Sequence, residues 1–311
     1  MAPVTVLIRR EAIARIAGHL GPEARVIPGW QDLPSALQTE GPVIDAMITA
    51  GDRVDAALMA QLPRLQLICC FGAGYDNIDL AAARARGIAV TAAQGLNAAD
   101  VADFGVALLL ALFCQLPAGD ALVRSGHWQA GASTGLRRSV ATHAVGIVGL
   151  GGIGRELAPR IAAFGCPVRW WGPRPQPGVI WPRSESLMAL AAASDALVVC
   201  ARAEAANSRM IGVDVLAAMP PGGYLVNVAR GALVDEAAVK AALVCGSLAG
   251  AALDVFESEP ASADFWADIP NVLLSPHRAG TAASAVERQV EHVRDNLARF
   301  RAGIPLLGLV G

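Results

Sequence analysis

Charge is scarce in this chain. Only 17% of its 311 residues are Asp, Glu, Lys or Arg, and 25 basic against 27 acidic side chains leave a formal charge of -2, with no basic block anywhere. Neither nucleic acid nor an anionic membrane surface is therefore an expected partner. Aromatics are also few, at 5%, while hydrophobic residues reach 54% and glycines number 32, a balance that excludes disorder and suits α/β packing. No apolar run approaches the roughly 20 residues that a membrane helix needs. The longest, residues 104–114, follows Asp100 and Asp103 and reads as a buried helix.

Paired cysteines are missing as well. Cys69, Cys70, Cys114, Cys166, Cys200 and Cys245 show no C-x-x-C spacing, and His19, His127, His143, His277 and His292 form no ligand set, so no metal is expected. Cysteines within apolar runs read as reduced core residues, which points to the cytoplasm. At the N-terminus the apolar residues 2–8 precede Arg9 and Arg10, the reverse of a signal peptide's order, and read as a first strand.

What is present is alternation. Short β-rich runs at 4–8, 43–49, 67–71 and 88–91 alternate with Ala-rich helical stretches. Asn97 offers a helix N-cap, and an apolar helix runs to 112 with a break at Pro117. Residues 125–139 lack periodicity and read as an exposed arm. Strand patterns then recur at 144–148, 168–171, 196–200, 224–227, 250–254 and 272–274, the mark of a doubly wound sheet, and a last helix over 282–299 precedes an apolar tail. The α/β alternation up to residue 95 and the helix that opens at 97 place a unit boundary near 96.

Gly149, Gly151, Gly152 and Gly154, with Leu150 and Ile153 between them, directly follow one of these strands and open a helical pattern. A dinucleotide needs this spacing: one glycine turns the chain, one lets backbone approach the pyrophosphate, and one lets helix and strand pack closely. About 20 residues further on, NAD binders usually carry an Asp or Glu for the ribose 2′-hydroxyl. Here the chain reads Arg169-Trp170-Trp171-Gly172-Pro173-Arg174, with Arg183 following, so the acid is absent and cations suited to a 2′-phosphate are present. NADP(H) is favoured, with NAD(H) possible.

Reducing a keto acid requires a cation for the carboxylate, a proton donor for the carbonyl and a partner that fixes the donor. Arg230 follows the strand 224–227, Glu259 precedes Pro260 beyond the strand 250–254, and His277 ends Ser275-Pro276-His277 after the strand 272–274. All three would reach the carboxyl edge of one sheet, although each has a plain reading as a loop or surface residue.

Five motifs in order now resemble the D-isomer-specific 2-hydroxyacid dehydrogenases over nearly the whole chain. They are the turn 72–79, the helix start 97–103, the glycine fingerprint, 227–231 with Val234-Asp235-Glu236, and 254–280. The resemblance implies Arg230 as carboxylate anchor, His277 as general acid/base and Glu259 as its partner. It implies Gly149, Gly151, Gly152, Ile153, Gly154, Gly172, Arg174, Val228, Ala229, Arg230, Asp254, His277 and Gly280 along the cofactor. Ala73 and Gly74 would offer backbone amides to a small 2-keto acid, and the molecule would be a homodimer. The resemblance also implies the α/β architecture of two doubly wound parallel-sheet, Rossmann-like domains, the dinucleotide-binding domain 96–281 being inserted into a substrate domain built from 1–95 and 282–311. Val123-Arg124-Ser125-Gly126-His127-Trp128 and Phe164-Gly165-Cys166-Pro167-Val168 bring the NADPH-preferring glyoxylate, hydroxypyruvate and hydroxyphenylpyruvate reductases nearest. Two departures stand out: Arg202-Ala203-Glu204 replaces the usual Pro-Leu-Thr, and Pro173 occupies the position where NADP users place Arg. Corepressors of the same fold make a dinucleotide-sensing binding protein the alternative, and formate dehydrogenase, with Gln in place of Glu259, is a remoter relative.

Overall fold

The computed structural model describes residues 2–129 and 136–310, so the centre of the expected arm lies outside the described residues. The chain divides into two compact units, Met1–Asn97 with Ala282–Gly311, and Ala98–Thr281.

In the first unit, β1 (Val4–Ile8), β2 (Ala24–Pro28), β3 (Ala46–Thr49), β4 (Leu67–Cys70) and β5 (Ala89–Ala92) form a parallel sheet in the order β2-β1-β3-β4-β5. Because β1, β3 and β4 are buried along their whole length, their sequences are apolar but for the buried Thr5 and Thr49, rather than alternating. The edge strand β2, Ala-Arg-Val-Ile-Pro, is only partly buried, and its mixed sequence hid it from the sequence reading. The expected strand 43–49 begins later because Gly41–Val43 forms a turn of 3-10 helix around Pro42. The helix Ala283–Ala302 packs Val290, Val293 and Leu297 onto Val6, Ile8 and Leu67. Beyond it, the Ala92 N–H donates to Gly308 O (2.9 Å) and the Val310 N–H to Val90 O (3.0 Å), so the apolar tail covers the open edge of β5.

In the second unit, β6 (Val145–Val148), β7 (Val168–Trp171), β8 (Ala196–Val199), β9 (Gly223–Asn227), β10 (Leu248–Leu253) and β11 (Val272–Leu274) form a parallel sheet ordered β11-β10-β9-β8-β6-β7. Its order reverses between β6 and β8, where open α/β sheets leave a crevice beyond the strand ends. One face packs Leu109, Phe113, Leu157 and Ile161 with Trp170, and the other packs Leu190, Val239 and Leu243 with Leu225 and Leu253.

Pro117 does not break the long helix as expected. The helix Ala98–Phe113 ends before Gln115, which sits at φ 52°, and Leu116–Arg124 starts again at 60° to it with Pro117 in its first turn, where a missing N–H costs nothing. Among the described residues, no single helix is long and apolar enough to cross a membrane. All six cysteines are free, but Cys245 is exposed at a helix end and Cys114 half-buried, against the expectation of core positions.

Candidate active site

The glycine loop leaves β6 through Gly149, whose φ of +93° and close approach to Ala201 exclude a side chain. At Gly154 a Cβ would strike the Gly149 carbonyl, so this glycine is what lets the helix Gly152–Ala163 start so close to the strand. Gly151 occupies the N-cap without a side-chain bond, so the first amides of that helix, at Gly152 and Ile153, face its open end. A cradle of backbone N–H groups at a helix start, with no Cβ in the way, fits a pyrophosphate.

Past β7 there is no carboxylate. Gly172 is buried, while Pro173 and Arg174 are exposed. Arg183 does not remain available for a 2′-phosphate as expected: its Nε and Nη2 donate to Gly172 O at 3.2 and 2.8 Å, and its guanidinium lies over the Trp170 ring. Arg174 makes no hydrogen bond among the described residues. The sequence reading missed Arg155, whose Nη2 meets Gln176 Oε1 at 2.5 Å beside a cleft of about 280 Å³ lined by Leu150, Arg155 and residues 178–181.

Arg230 is set by Asn227, a buried residue at the end of β9. The Asn227 amide donates to Arg230 O (3.0 Å), and its oxygen accepts the Ala229 N–H (3.1 Å). Arg230 Nη1 in turn donates to Ala229 O at 2.7 Å. Val228 and Ala229 were expected along the cofactor, yet their side chains belong to the core, which leaves only their backbone for that purpose. Next to Arg230, a Cβ on Gly231 would overlap the Phe256 carbonyl, so the turn after β9 lies against the loop after β10.

That loop carries Glu259, and the loop after β11 carries His277. His277 Nδ1 lies 2.7 Å from Glu259 Oε2. Burial works to raise the Glu259 carboxyl, but the His277 hydrogen bond and charge, the Phe256 N–H and the Arg230 cation outweigh it and hold the group below the ordinary carboxylate range. Both side chains stay partly open, at 48% exposure for His277 and 38% for Glu259. His277 itself sits at φ 51°, a left-handed conformation that costs a non-glycine residue about 1–2 kcal/mol. It is held there by its N–H to Asp254 O (2.8 Å) and Ser275 O (3.0 Å).

Asp254 was expected beside the cofactor, and its carboxylate is 1% exposed. Its Oδ1 accepts the Arg278 N–H (2.8 Å) and its Oδ2 the Ala279 N–H (2.9 Å), so it shapes the His277 loop up to Gly280. A buried acid aimed at the backbone beyond the neighbouring strand leaves no periodic signal in the sequence. In the first unit, Ala73 and Gly74 are half-buried just beyond β4, and neither N–H is used in a hydrogen bond among the described residues. Those residues also contain no group of His, Cys, Asp and Glu able to hold a metal.

Residues 106–279 match the family described as D-isomer specific 2-hydroxyacid dehydrogenase, NAD binding domain. Over 99% of this chain and 97% of the relative, the sequence is 34% identical to a glyoxylate/hydroxypyruvate reductase of Arabidopsis thaliana. It is 37% identical to a 2-ketogluconate reductase of Gluconobacter oxydans over 85% of each chain. Among solved structures, an NADPH-dependent glyoxylate/hydroxypyruvate reductase from Sinorhizobium meliloti, in complex with NADP and malonate, superposes with a TM-score of 0.91 at 32% identity, covering 100% of this chain and 97% of that one.

Proposed function

Since the chain belongs to the D-isomer specific 2-hydroxyacid dehydrogenase family, we propose that it reduces hydroxypyruvate, glyoxylate or an aryl pyruvate to the D-2-hydroxy acid, with NADPH preferred over NADH. The observation that carries this reading is the His277–Glu259 contact of 2.7 Å with the Arg230 charge beside it, on the sheet edge that also holds the glycine cradle.

The bound dinucleotide would supply the hydride. Arg230 would grip the substrate carboxylate with its planar guanidinium and polarise the adjacent carbonyl. With Nδ1 engaged by Glu259, His277 presents Nε2 as the atom that hands a proton to the carbonyl oxygen as negative charge develops there. Glu259, kept ionised, fixes the ring's orientation and tautomer. The Gly152 and Ile153 amides would hold the pyrophosphate, with Gly149, Gly151, Gly154, Gly172, Asp254 and Gly280 shaping the site, and Ala73 and Gly74 would donate to the substrate.

A panel of hydroxypyruvate, glyoxylate and phenylpyruvate with NADPH and with NADH tests this. Turnover of at least one acid is expected; dinucleotide binding without any turnover would leave the sensing reading instead. The absent acid after β7 and the unengaged Arg174 support the NADPH preference. Arg174→Ala would lower kcat/KM with NADPH by about tenfold and leave NADH unaffected, as expected for one charge-assisted bond. Equal efficiencies with the two cofactors in the wild type would contradict the preference.

The same reading extends to assembly and location. Leu116 and Val123 are exposed on the helix Leu116–Arg124 and Trp128 just beyond it, apolar side chains that a second copy would cover. Light scattering should give twice the chain mass of 32.0 kDa, and a monomer would refute it. Six free thiols fit a reducing compartment, hence the cytoplasm.

A further inference from the structure

The loop that carries Glu259 is anchored by a carboxylate that the chemistry above does not use. Glu236 begins the helix Glu236–Val244, whose first turn is fixed by Asp235 accepting the Ala238 N–H at 3.0 Å. From there Glu236 Oε1 accepts the Glu257 N–H at 2.6 Å. The preceding amide, Phe256 N–H, donates to Glu259 Oε1 at 3.2 Å. Two successive backbone N–H groups thus point at two different carboxylates, and the tilt that serves one determines the aim of the other.

We propose that Glu236 is a positioning residue for the reaction: by holding the Glu257 amide it aims the Phe256 amide at Glu259, and so fixes the Glu259–His277 pair against Arg230.

Three further contacts surround that hold. A Cβ on Gly231 would overlap the Phe256 carbonyl, so the loop rests directly on the turn after Arg230 with no slack. Glu257 Oε2 accepts from Arg209 Nη2 at 2.9 Å, and the Arg209 N–H donates to Ala232 O at 2.7 Å, tying the same two segments a second time. Burial, with the like charges of Glu257 and Glu259, raises the Glu236 acid above its ordinary range, opposed by the Glu257 N–H and the Arg209 cation. A half-buried carboxylate beside two others is an unfavourable arrangement unless its geometry serves the loop.

The inference rests on the assignment of Glu259 and His277 as the reacting pair. Glu236→Ala, which removes the acceptor, is expected to lower kcat by about tenfold or more, since small misplacements of reacting groups cost up to about 10². KM for the keto acid and the dissociation constant of NADPH should stay within about twofold of wild type, as only transition-state alignment is lost. Glu236→Gln keeps an oxygen facing the Glu257 N–H and should recover most of kcat. Glu236→Asp keeps the charge but shortens the reach; it should behave like Ala, and it serves where the Ala variant does not fold. A folded Ala or Asp variant with wild-type kcat, or a Gln variant as slow as Ala, overturns the proposal. If His277→Ala retains turnover, the assignment of the reacting pair fails instead, which separates the two outcomes.

Discussion

The two units carry the same kind of parallel sheet and treat its reversal point in opposite ways. In the second unit, β6 runs into Gly149 and Gly154, a turn without side chains in front of a helix start. In the first unit, the order reverses between β1 and β3, and β1 runs into Arg9 and Arg10. Arg9 Nη1 donates to Arg53 O at 2.7 Å, Arg10 Nε meets Asp52 Oδ1 at 2.7 Å, and Asp52 Oδ2 also accepts from Thr49 Oγ1 at 3.0 Å. Long, hydrogen-bonded side chains follow the strand at one reversal point and glycines at the other. Topology supplies a place for a ligand, and the residues in the first turn decide whether it is used.

The largest expected way to break this contrast is Gly154→Ala. The added methyl must displace the Gly149 carbonyl, so the cradle is lost and the dissociation constant for NADPH should rise by more than about tenfold, as one misplaced charge-assisted contact alone costs 1.5–3 kcal/mol. Fluorescence titration of the dinucleotide checks it, and unchanged affinity would mean that this glycine serves packing alone.

A smaller effect is expected at Asp195, which closes the opposite end of the second sheet. Its Oδ1 meets Arg138 Nη1 at 2.6 Å, and its Oδ2 accepts the Ala144 N–H at 2.8 Å. Burial works to raise the Asp195 carboxyl, but the Arg138 hydrogen bond, the Ala144 N–H and the charges of Arg138 and His143 hold it below its ordinary value of 3.8. A depressed folded-state value stabilises the protein above the unfolded-state value, and that contribution disappears as pH falls through the folded one. Asp195→Asn should therefore cost about 1 kcal/mol at neutral pH, and the gap to wild type in melting temperature should narrow as pH drops below 4. A gap that widens with acid would contradict the sign.

The smallest effect is expected at the first unit's reversal point. Arg10 is half-exposed, and Arg10→Ala should change stability by less than about 1 kcal/mol while leaving kcat/KM and dinucleotide affinity unchanged. A loss of activity there would show that both reversal points contribute.

Much of this arrangement was legible in the sequence. Strands buried on both faces, such as β4 and β8, appear as apolar runs, and the glycine spacing after β6 announces a cradle. Arg230, Glu259 and His277 were visible as polar residues just past strand ends. The unread features depend on contacts between distant segments. The mixed edge strand β2 has no one-faced pattern, and Pro117 looks the same whether it ends one helix or opens the next. The backbone contacts of Asp254, Glu236 and Arg183, to Arg278, Glu257 and Gly172, were not legible because each reaches into another segment of the chain.

The central claim, that His277 delivers the proton while the glycine cradle independently holds the cofactor, is tested most directly by His277→Ala. It should lower kcat/KM for the keto acid by about 10² to 10⁴, the usual worth of general acid catalysis, with the NADPH dissociation constant within about threefold of wild type. Near-normal turnover in that variant would contradict the account.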